Sequence, residues 1–358
     1  MEAMNVRQAV RDVPAYRFEA LPALVKLDQN ESPDDLPATL REAALARVAA
    51  AEWHRYPDLH PDGLAARLAA RHDWPADGVV VAGGSNVLIQ ALVVLSGIGR
   101  HVAALSPSFP LYAQQARLLG AALHEVPLGP EHAFPTEAVI DAVAVGSGVG
   151  FLPAPLAPTG NAVDPRDLRR VAEAAGPGWT IVIDEAYAEF AGSDHTLLAR
   201  DHPRVVVLRT LSKAFGLAGA RLGYAVADPA LAVELRKVIL PFSVSALQLA
   251  VGEAVLDAPH WIDERVRATV AERERLAAEL RVRGVRFVPS VTNFILLRVA
   301  DAAATHRGLL RHGVLVRRQD HLPGLAGALR VTVGRRDEND AFLRAWDALT
   351  RVNGEPHA

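Results

Sequence analysis

The sequence predicts an α/β fold in which a mostly parallel central sheet is covered by helices and a smaller α+β domain follows. Short runs rich in valine and isoleucine alternate with longer segments of helical period that are rich in alanine, leucine and arginine. Most of the short runs are almost continuously apolar, which is typical of strands buried on both faces. After residue 240 a long charged helical segment precedes short strands. We therefore predict an N-terminal arm (1–35), a large α/β domain (36–240) and a small α+β domain (241–358).

The large domain contains seven predicted strands, at residues 78–84, 101–107, 121–128, 148–155, 180–186, 204–211 and 221–228. Helical segments connect most of them, as parallel pairing requires. In the small domain, a charged helix over 258–284 precedes four predicted strands in the segments VRFVPS, NFILLRVA, GVLVRRQ and ALRVTVG. This order of strands and helices is typical of one large domain followed by a smaller one.

Composition excludes several classes of protein. A net charge of −3 argues against a protein that binds nucleic acid through a basic surface. The absence of cysteine excludes disulfides, thiol nucleophiles and thiolate metal sites, and the 13 histidines are scattered without a metal-ligand spacing, so we expect no metal. No apolar run reaches the roughly 18 residues that span a membrane. The charged N-terminus does not resemble a signal peptide, so we expect a cytoplasmic protein.

Polar residues at strand ends are the candidates for function, because ligands of such sheets bind where strands end. In GGSN, Ser85 and Asn86 open a helix, and this pattern suits either a phosphate site or an ordinary helix cap. In VIDEAYAEF, a buried strand delivers Asp184, which could ligate a metal, act as a base or hold a protonated ring nitrogen. In PSFPLY, Phe109 suits stacking on a planar ring or a place in the core.

The segment RTLSKAFGLAGARLGY contains one of only three lysines in the chain. Lys213 follows Thr210 and Ser212 at the end of a strand, and Arg221 lies eight residues further on. A lysine beside hydroxyls and glycines suits either phosphate binding or covalent reaction with a carbonyl group. The apolar flanks and the scarcity of lysine argue against a solvated surface residue.

Taken together, VIDEAY and SKAFGLAGARLGY resemble the motifs of the pyridoxal-phosphate-dependent transferases of fold type I, and among them those of the histidinol-phosphate aminotransferase family. The resemblance extends from LVKLDQNESP (24–33) to LRVTVG (329–334). It implies an enzyme that binds pyridoxal 5′-phosphate and moves an amino group between a small-molecule donor and a 2-oxo acid. It also explains Lys213, since the family lysine bonds covalently to the cofactor and moves the proton, which arginine cannot do.

By the same resemblance, Asp184 holds the pyridine nitrogen, Tyr187 donates to the 3′-oxygen and Phe109 stacks on the ring. The phosphate group would be bound by Ser85, Asn86, Thr210, Ser212 and Arg221. Tyr56 in RYPD matches a tyrosine that reaches the phosphate group from the neighbouring subunit, which implies a homodimer. On the substrate side, the resemblance implicates Arg330 for the carboxylate end, Arg317 for the phosphate of histidinol phosphate, and Asn30 where the arm closes over the substrate.

The sequence also departs from the family. It has Ala157 where the family has an asparagine that donates to the same cofactor oxygen, so Tyr187 is the main expected partner of that oxygen. The reaction expected from the resemblance is amino transfer between histidinol phosphate and 2-oxoglutarate in histidine biosynthesis. Three alternatives stay open: a broad or aromatic amino-acid aminotransferase, a decarboxylase of the threonine-phosphate type, and a protein that binds the cofactor with little catalysis.

Overall fold

The structure is a computed structural model that describes residues 5–15 and 21–353. Parts of the predicted arm (1–4 and 16–20) and the C-terminal residues 354–358 lie outside the described residues. The strands are β1 Val25–Leu27, β2 Val79–Ala82, β3 His101–Ser106, β4 Ala122–Pro127, β5 Ser147–Pro153, β6 Gly178–Asp184, β7 Val205–Thr210, β8 Gly223–Val226, β9 Arg286–Val288, β10 Phe294–Arg298, β11 Val314–Arg318 and β12 Ala328–Thr332.

The helices cover both sheets and carry most of the remaining described residues. They are α1 Gln8–Arg11, α2 Ala38–Ala50, α3 Asp62–Arg71, α4 Ser85–Ser96, α5 Leu111–Leu119, α6 Thr136–Val143, α7 Pro165–Ala174, α8 Ala188–Ala191, α9 Thr196–Asp201, α10 Pro229–Lys237, α11 Ala246–Leu256, α12 Pro259–Val282, α13 Ala302–Arg311 and α14 Arg336–Asn353. None of the helices in the described part of the chain is long and apolar enough to cross a bilayer.

The large sheet has the strand order β2-β8-β7-β6-β5-β3-β4. Strand β8 pairs antiparallel with β2 and β7, and the other four neighbouring pairs are parallel, which confirms the predicted mostly parallel sheet. Successive residues of β6 enter different cores, because Ile181 and Ile183 belong to one apolar cluster and Val182 to the other. A sheet buried on both faces in this way explains the continuous apolar runs of the sequence.

The register of the large sheet brings the carboxyl ends of β5, β6 and β7 to one edge. Asp184 at the end of β6 lies opposite Pro153 and Leu208 on the two neighbouring strands. At the same edge, a Cβ atom on Gly223 would lie 2.3 Å from the backbone nitrogen of Ser85. Glycine in β8 therefore lets the start of α4 come close to the strand.

The second sheet has the order β1-β11-β12-β10-β9 and contains all four strands predicted for the small domain. Its edge strand β1, which the sequence did not predict, comes from the N-terminal arm and pairs in parallel with β11. Helix α11, just after residue 240, packs against α2 and α3. The arm and the C-terminal strands thus share one sheet, while the division into three domains stays a prediction.

Candidate active site

Asp184 ends β6 as a buried carboxylate with two hydrogen bonds. Its Oδ2 accepts from the hydroxyl of Tyr112 at 2.5 Å, and its Oδ1 accepts from the backbone nitrogen of Ala186 at 3.0 Å. Burial raises the pKa of Asp184 to about 6, and the two hydrogen bonds act in the opposite direction. The carboxylate is thus charged at neutral pH although it is buried from solvent, and it suits a cationic partner such as a protonated ring nitrogen.

Tyr112 is a site residue that the sequence reasoning missed. It lies in α5, where its ring stacks on Phe151 with the centroids 4.7 Å apart and meets the edge of Phe109 at 5.7 Å. Its position three residues after Phe109 in PSFPLY was the available signal, because the chain turns there into α5 and the backbone nitrogen of Tyr112 donates to the backbone oxygen of Phe109 at 3.3 Å. Phe109 itself is half-buried beside this tyrosine.

Lys213 follows β7 and is partly buried among cationic groups. Its Nζ donates to the backbone oxygen of Gln29 at 2.9 Å and lies 5.9 Å from the centroid of the Tyr187 ring. Burial, and then the charges of Arg330 and Arg221, lower the pKa of this amine to about 7. A large fraction of the amine is therefore neutral and nucleophilic at physiological pH.

Tyr187 forms a hydrogen bond with the N-terminal arm. Its hydroxyl oxygen accepts a hydrogen bond from Nδ2 of Asn30 at 2.9 Å, and its ring meets the edge of Phe294 with the centroids 5.2 Å apart. Burial raises the pKa of Tyr187, so the phenol keeps its proton at neutral pH. Phe294, which the sequence reasoning missed, also lies under the guanidinium of Arg330 at 5.4 Å.

The start of α4 and the loop after β7 form a cradle of hydrogen-bond donors. Nη1 of Arg221 donates to Oγ of Ser212 at 3.3 Å, and the backbone nitrogen of Ser212 donates to Oγ1 of Thr210 at 3.1 Å. A Cβ atom on Gly84 would lie only 2.8 Å from Nη2 of Arg221, so the guanidinium lies against the backbone where α4 begins with Ser85. A helix N-terminus combined with an arginine suits an anion.

Two residues predicted to contact the cofactor face outward in the described chain. Asn86, in the first turn of α4, is exposed. Tyr56 is 83% exposed and stacks on Phe242 with the ring centroids 4.9 Å apart.

Two arginines predicted to bind substrate are neighbours in the second sheet. Arg317 in β11 and Arg330 in β12 are Cα partners. Nη2 of Arg330 donates to the backbone oxygen of Asp28 at 2.8 Å, which ties this strand to the arm. Cα partners in an antiparallel pair project their side chains from the same face of the sheet, and on that face the charge of Arg330 acts on Lys213 and Tyr187.

Glu185, the second carboxylate of the VIDEAY motif, belongs to a buried network of charges. Its Oε1 lies 2.5 Å from Nδ1 of His195, and its Oε2 lies 2.5 Å from Nη2 of Arg209. Arg209 also pairs with Glu189 and Asp194. Adjacent carboxylates thus differ in environment, because Asp184 contacts Tyr112 whereas Glu185 neutralises an arginine. No group of three potential metal ligands occurs among the described residues.

The family model "Aminotransferase class I and II" matches residues 22–345. The histidinol-phosphate aminotransferase of Deinococcus radiodurans is 47% identical over 348 residues, which cover 96% of each chain. That of Thermococcus kodakarensis is 38% identical over 350 residues, covering 98% of this chain and 99% of the other.

Solved structures support the fold. The histidinol-phosphate aminotransferase of Sinorhizobium meliloti in complex with pyridoxal-5′-phosphate superimposes with a TM-score of 0.88 at 22% identity, covering 98% of this chain and 99% of that chain. The L-threonine-O-3-phosphate decarboxylase of Porphyromonas gingivalis gives 0.77 at 22% identity, covering 92% and 100%. At such identities these likenesses show the fold alone, whereas the family model and the closer relatives show the enzyme class. The chain is a pyridoxal-phosphate-dependent transaminase that belongs to the class I and II aminotransferases and, within them, to the histidinol-phosphate aminotransferase family.

Proposed function

We propose that this aminotransferase moves the amino group between histidinol phosphate and 2-oxoglutarate, as a cytoplasmic enzyme of histidine biosynthesis. The observation that carries the proposal is the pairing of Arg317 in the sheet with Arg330, whose charge lowers the pKa of Lys213. One guanidinium suits the phosphate of histidinol phosphate and the other suits the carboxylate of glutamate. The names of the relatives that are 47% and 38% identical support the same substrate.

Different residues of the site suit different parts of pyridoxal phosphate. The buried carboxylate of Asp184 suits the ring nitrogen, and the cradle formed by Arg221, Ser212 and the start of α4 suits the phosphate group. Ser85, Asn86 and Thr210 complete this assignment, and Phe109 covers the ring. The cofactor, when bound, supplies an electron sink that makes the proton on the carbon next to the amino group acidic.

The protein's own groups then bind, orient and move protons. Lys213 would hold the cofactor through its neutral amine and would move the proton at the reacting carbon. Tyr187 would donate a hydrogen bond to the cofactor's ring oxygen. Arg330 and Arg317 fix the substrate so that this carbon faces Lys213, and Asn30 closes the site from the arm.

The protein is also proposed to be a homodimer in which Tyr56 completes the partner's site. The support is a set of exposed apolar side chains that are close in sequence to Tyr56 or to Phe242, which stacks on it: Trp53 is 70% exposed, Leu59 51% and Leu240 78%. Exposed apolar patches of this kind mark contact surfaces. Because Asn86 is exposed as well, a second copy of the chain can reach the phosphate cradle from outside.

A mixed dimer tests this assignment. When Tyr56→Ala and Lys213→Ala protomers are combined, a tyrosine that acts on the partner's site leaves one intact site per mixed dimer. Cofactor affinity at half of the sites should then return to the wild-type value. If Tyr56 acted within its own protomer, both sites would keep a defect and neither would recover.

The reaction is tested by the visible spectrum of the purified protein with pyridoxal phosphate. The band of the lysine-bonded cofactor should disappear on addition of histidinol phosphate and return with 2-oxoglutarate, and Lys213→Ala should lack it. A band that changes only with aromatic amino acids would move the substrate to another amine. Release of carbon dioxide from a phosphorylated amino acid would replace amino transfer by decarboxylation, and a band that no amine changes would indicate binding without catalysis.

A further inference from the structure

Three consecutive residues of the arm each contact a different side chain of the site. The backbone oxygen of Asp28 accepts from Arg330, and that of Gln29 accepts from Lys213. The third contact uses a side chain, because Nδ2 of Asn30 donates to the hydroxyl oxygen of Tyr187 at 2.9 Å. The identity of residue 30 therefore decides this contact, whereas any residue supplies a backbone oxygen.

The orientation of the Asn30 amide follows from its hydrogen bonds. Oγ1 of Thr332 accepts from the backbone nitrogen of Asn30 at 2.9 Å, so the hydrogen of that hydroxyl is free to be donated to Oδ1 of Asn30 at 3.1 Å. Since Oδ1 faces Thr332, the NH₂ group faces Tyr187. The amide is thus the donor and the phenol oxygen the acceptor.

The backbone of Asn30 is held as firmly as its side chain. The residue is fully buried and adopts φ 54°, a conformation that asparagine tolerates better than most residues. Its backbone oxygen accepts from Nδ2 of Asn293 at 3.0 Å. Hydrogen bonds to both ends of the residue therefore fix the amide in one position.

A phenol oxygen that accepts from an amide must direct its own hydrogen elsewhere. We propose that Asn30 is a positioning residue that turns the hydroxyl hydrogen of Tyr187 toward the ring oxygen of the cofactor. The inference rests on the proposed function, which assigns that oxygen to Tyr187. It also gives Asn30 a role beyond closing the site over the substrate. Because Ala157 has no polar side-chain atom, the aim of the single phenolic donor is more consequential in this chain.

The test is a pH titration of the visible band of the holoenzyme without substrate. A hydrogen-bond donor to the ring oxygen stabilises the negative charge on that oxygen. It therefore lowers the pKa of the proton shared between the ring oxygen and the lysine nitrogen. Asn30→Gly removes the amide and suits the positive φ, so it should raise the titration midpoint by about half a pH unit. Tyr187→Phe should raise it further, and Asn30→Gly added to Tyr187→Phe should cause no additional shift.

Ser32→Ala, which removes a surface hydrogen bond of the same arm, is the matched control and should leave the midpoint unchanged. An equal shift from Asn30→Gly in both backgrounds would mean general loosening of the arm and would overturn the inference. The inference would also be overturned if Asn30→Gly kept the wild-type titration midpoint while Tyr187→Phe shifted that midpoint. An unshifted Tyr187→Phe would overturn the inference together with the role assigned to Tyr187. A wild-type protein without a visible band would overturn the proposed function itself.

Discussion

The hydroxyl of Tyr112 donates to Oδ2 of Asp184 across 2.5 Å, so a carboxylate that burial makes difficult to ionise has a donor dedicated to it. Tyr112 is in turn held between Phe151 and Phe109. The ring expected to cover the cofactor therefore also supports the tyrosine that keeps Asp184 charged.

Tyr112→Phe removes this donor and should raise the pKa of Asp184 above its value of about 6. Because an ionised carboxylate is required to hold the ring nitrogen, binding is present above this pKa and is lost as the pH falls through it. We expect cofactor affinity to drop about tenfold at pH 6.5 and less at pH 8. Titration of the apoenzyme with pyridoxal phosphate measures this.

Tyr224→Phe is the matched control, since it deletes a buried hydroxyl that bonds to His72 instead of Asp184. Equal losses in Tyr112→Phe and Tyr224→Phe at every pH would contradict the assignment.

Lys213 gives a second pH dependence. Its amine has a pKa of about 7, so the neutral, reactive fraction grows as the pH rises and reaches a plateau above 7. The rate at which the apoenzyme bonds pyridoxal phosphate should rise about tenfold per pH unit below pH 6 and level off above pH 7. Arg330→Gln removes a charge that lowers the pKa of this amine and should move the plateau to higher pH. Stopped-flow absorbance measures both, and an unchanged plateau in Arg330→Gln would be the contrary result.

Arg317→Met should slow the half-reaction with histidinol phosphate more than the half-reaction with glutamate. Losing a charge-assisted hydrogen bond to the phosphate should reduce kcat/KM for histidinol phosphate by about 10- to 100-fold, while the half-reaction with glutamate changes little. Arg318→Met is the adjacent control, because that guanidinium pairs with Asp320. Single-turnover kinetics with each donor measure the effect. A similar loss for both donors would assign Arg317 to general packing of the sheet.

Arg209→Met should destabilise the fold. The guanidinium is 4% exposed and neutralises Glu185 and Glu189, which would be left buried without their cation. The expected loss is about 3–5 kcal/mol in the free energy of unfolding. Arg166→Met removes an exposed ion pair with Asp164 and should leave the free energy of unfolding nearly unchanged. Urea unfolding of the apoenzyme compares the two, and equal small effects would contradict the prediction.

The sequence allowed the prediction of those parts of the site that depend on local pattern. The apolar run of β6 ends at Asp184 and that of β7 ends just before Lys213, so these two side chains could be placed at the sheet edge from the sequence. The motif resemblance supplied roles for them. The parallel order of the large sheet followed from the alternation of strands and helices.

Other features depend on contacts between distant parts of the chain. Asn30 and Tyr187 are 157 residues apart, and β1 pairs with a strand at the other end of the sequence. A three-residue strand gives too short a pattern to recognise. The bond from Tyr112 to Asp184 depends on the approach of α5 to the end of β6, which no periodicity specifies.

The long-range hydrogen bonds of Asn30 have a consequence for folding during synthesis of the chain. The arm is synthesised before the large sheet and the rest of the second sheet, but the hydroxyl that orients the Asn30 amide belongs to Thr332, 302 residues later. The seven strands of the large sheet lie before residue 227 and can pair while synthesis continues, whereas β1 has no partner until β11 is made. The residues of the arm are therefore made before their partners and are among the last to reach their native contacts, and a chain truncated before β12 would fold its large sheet without securing Asn30.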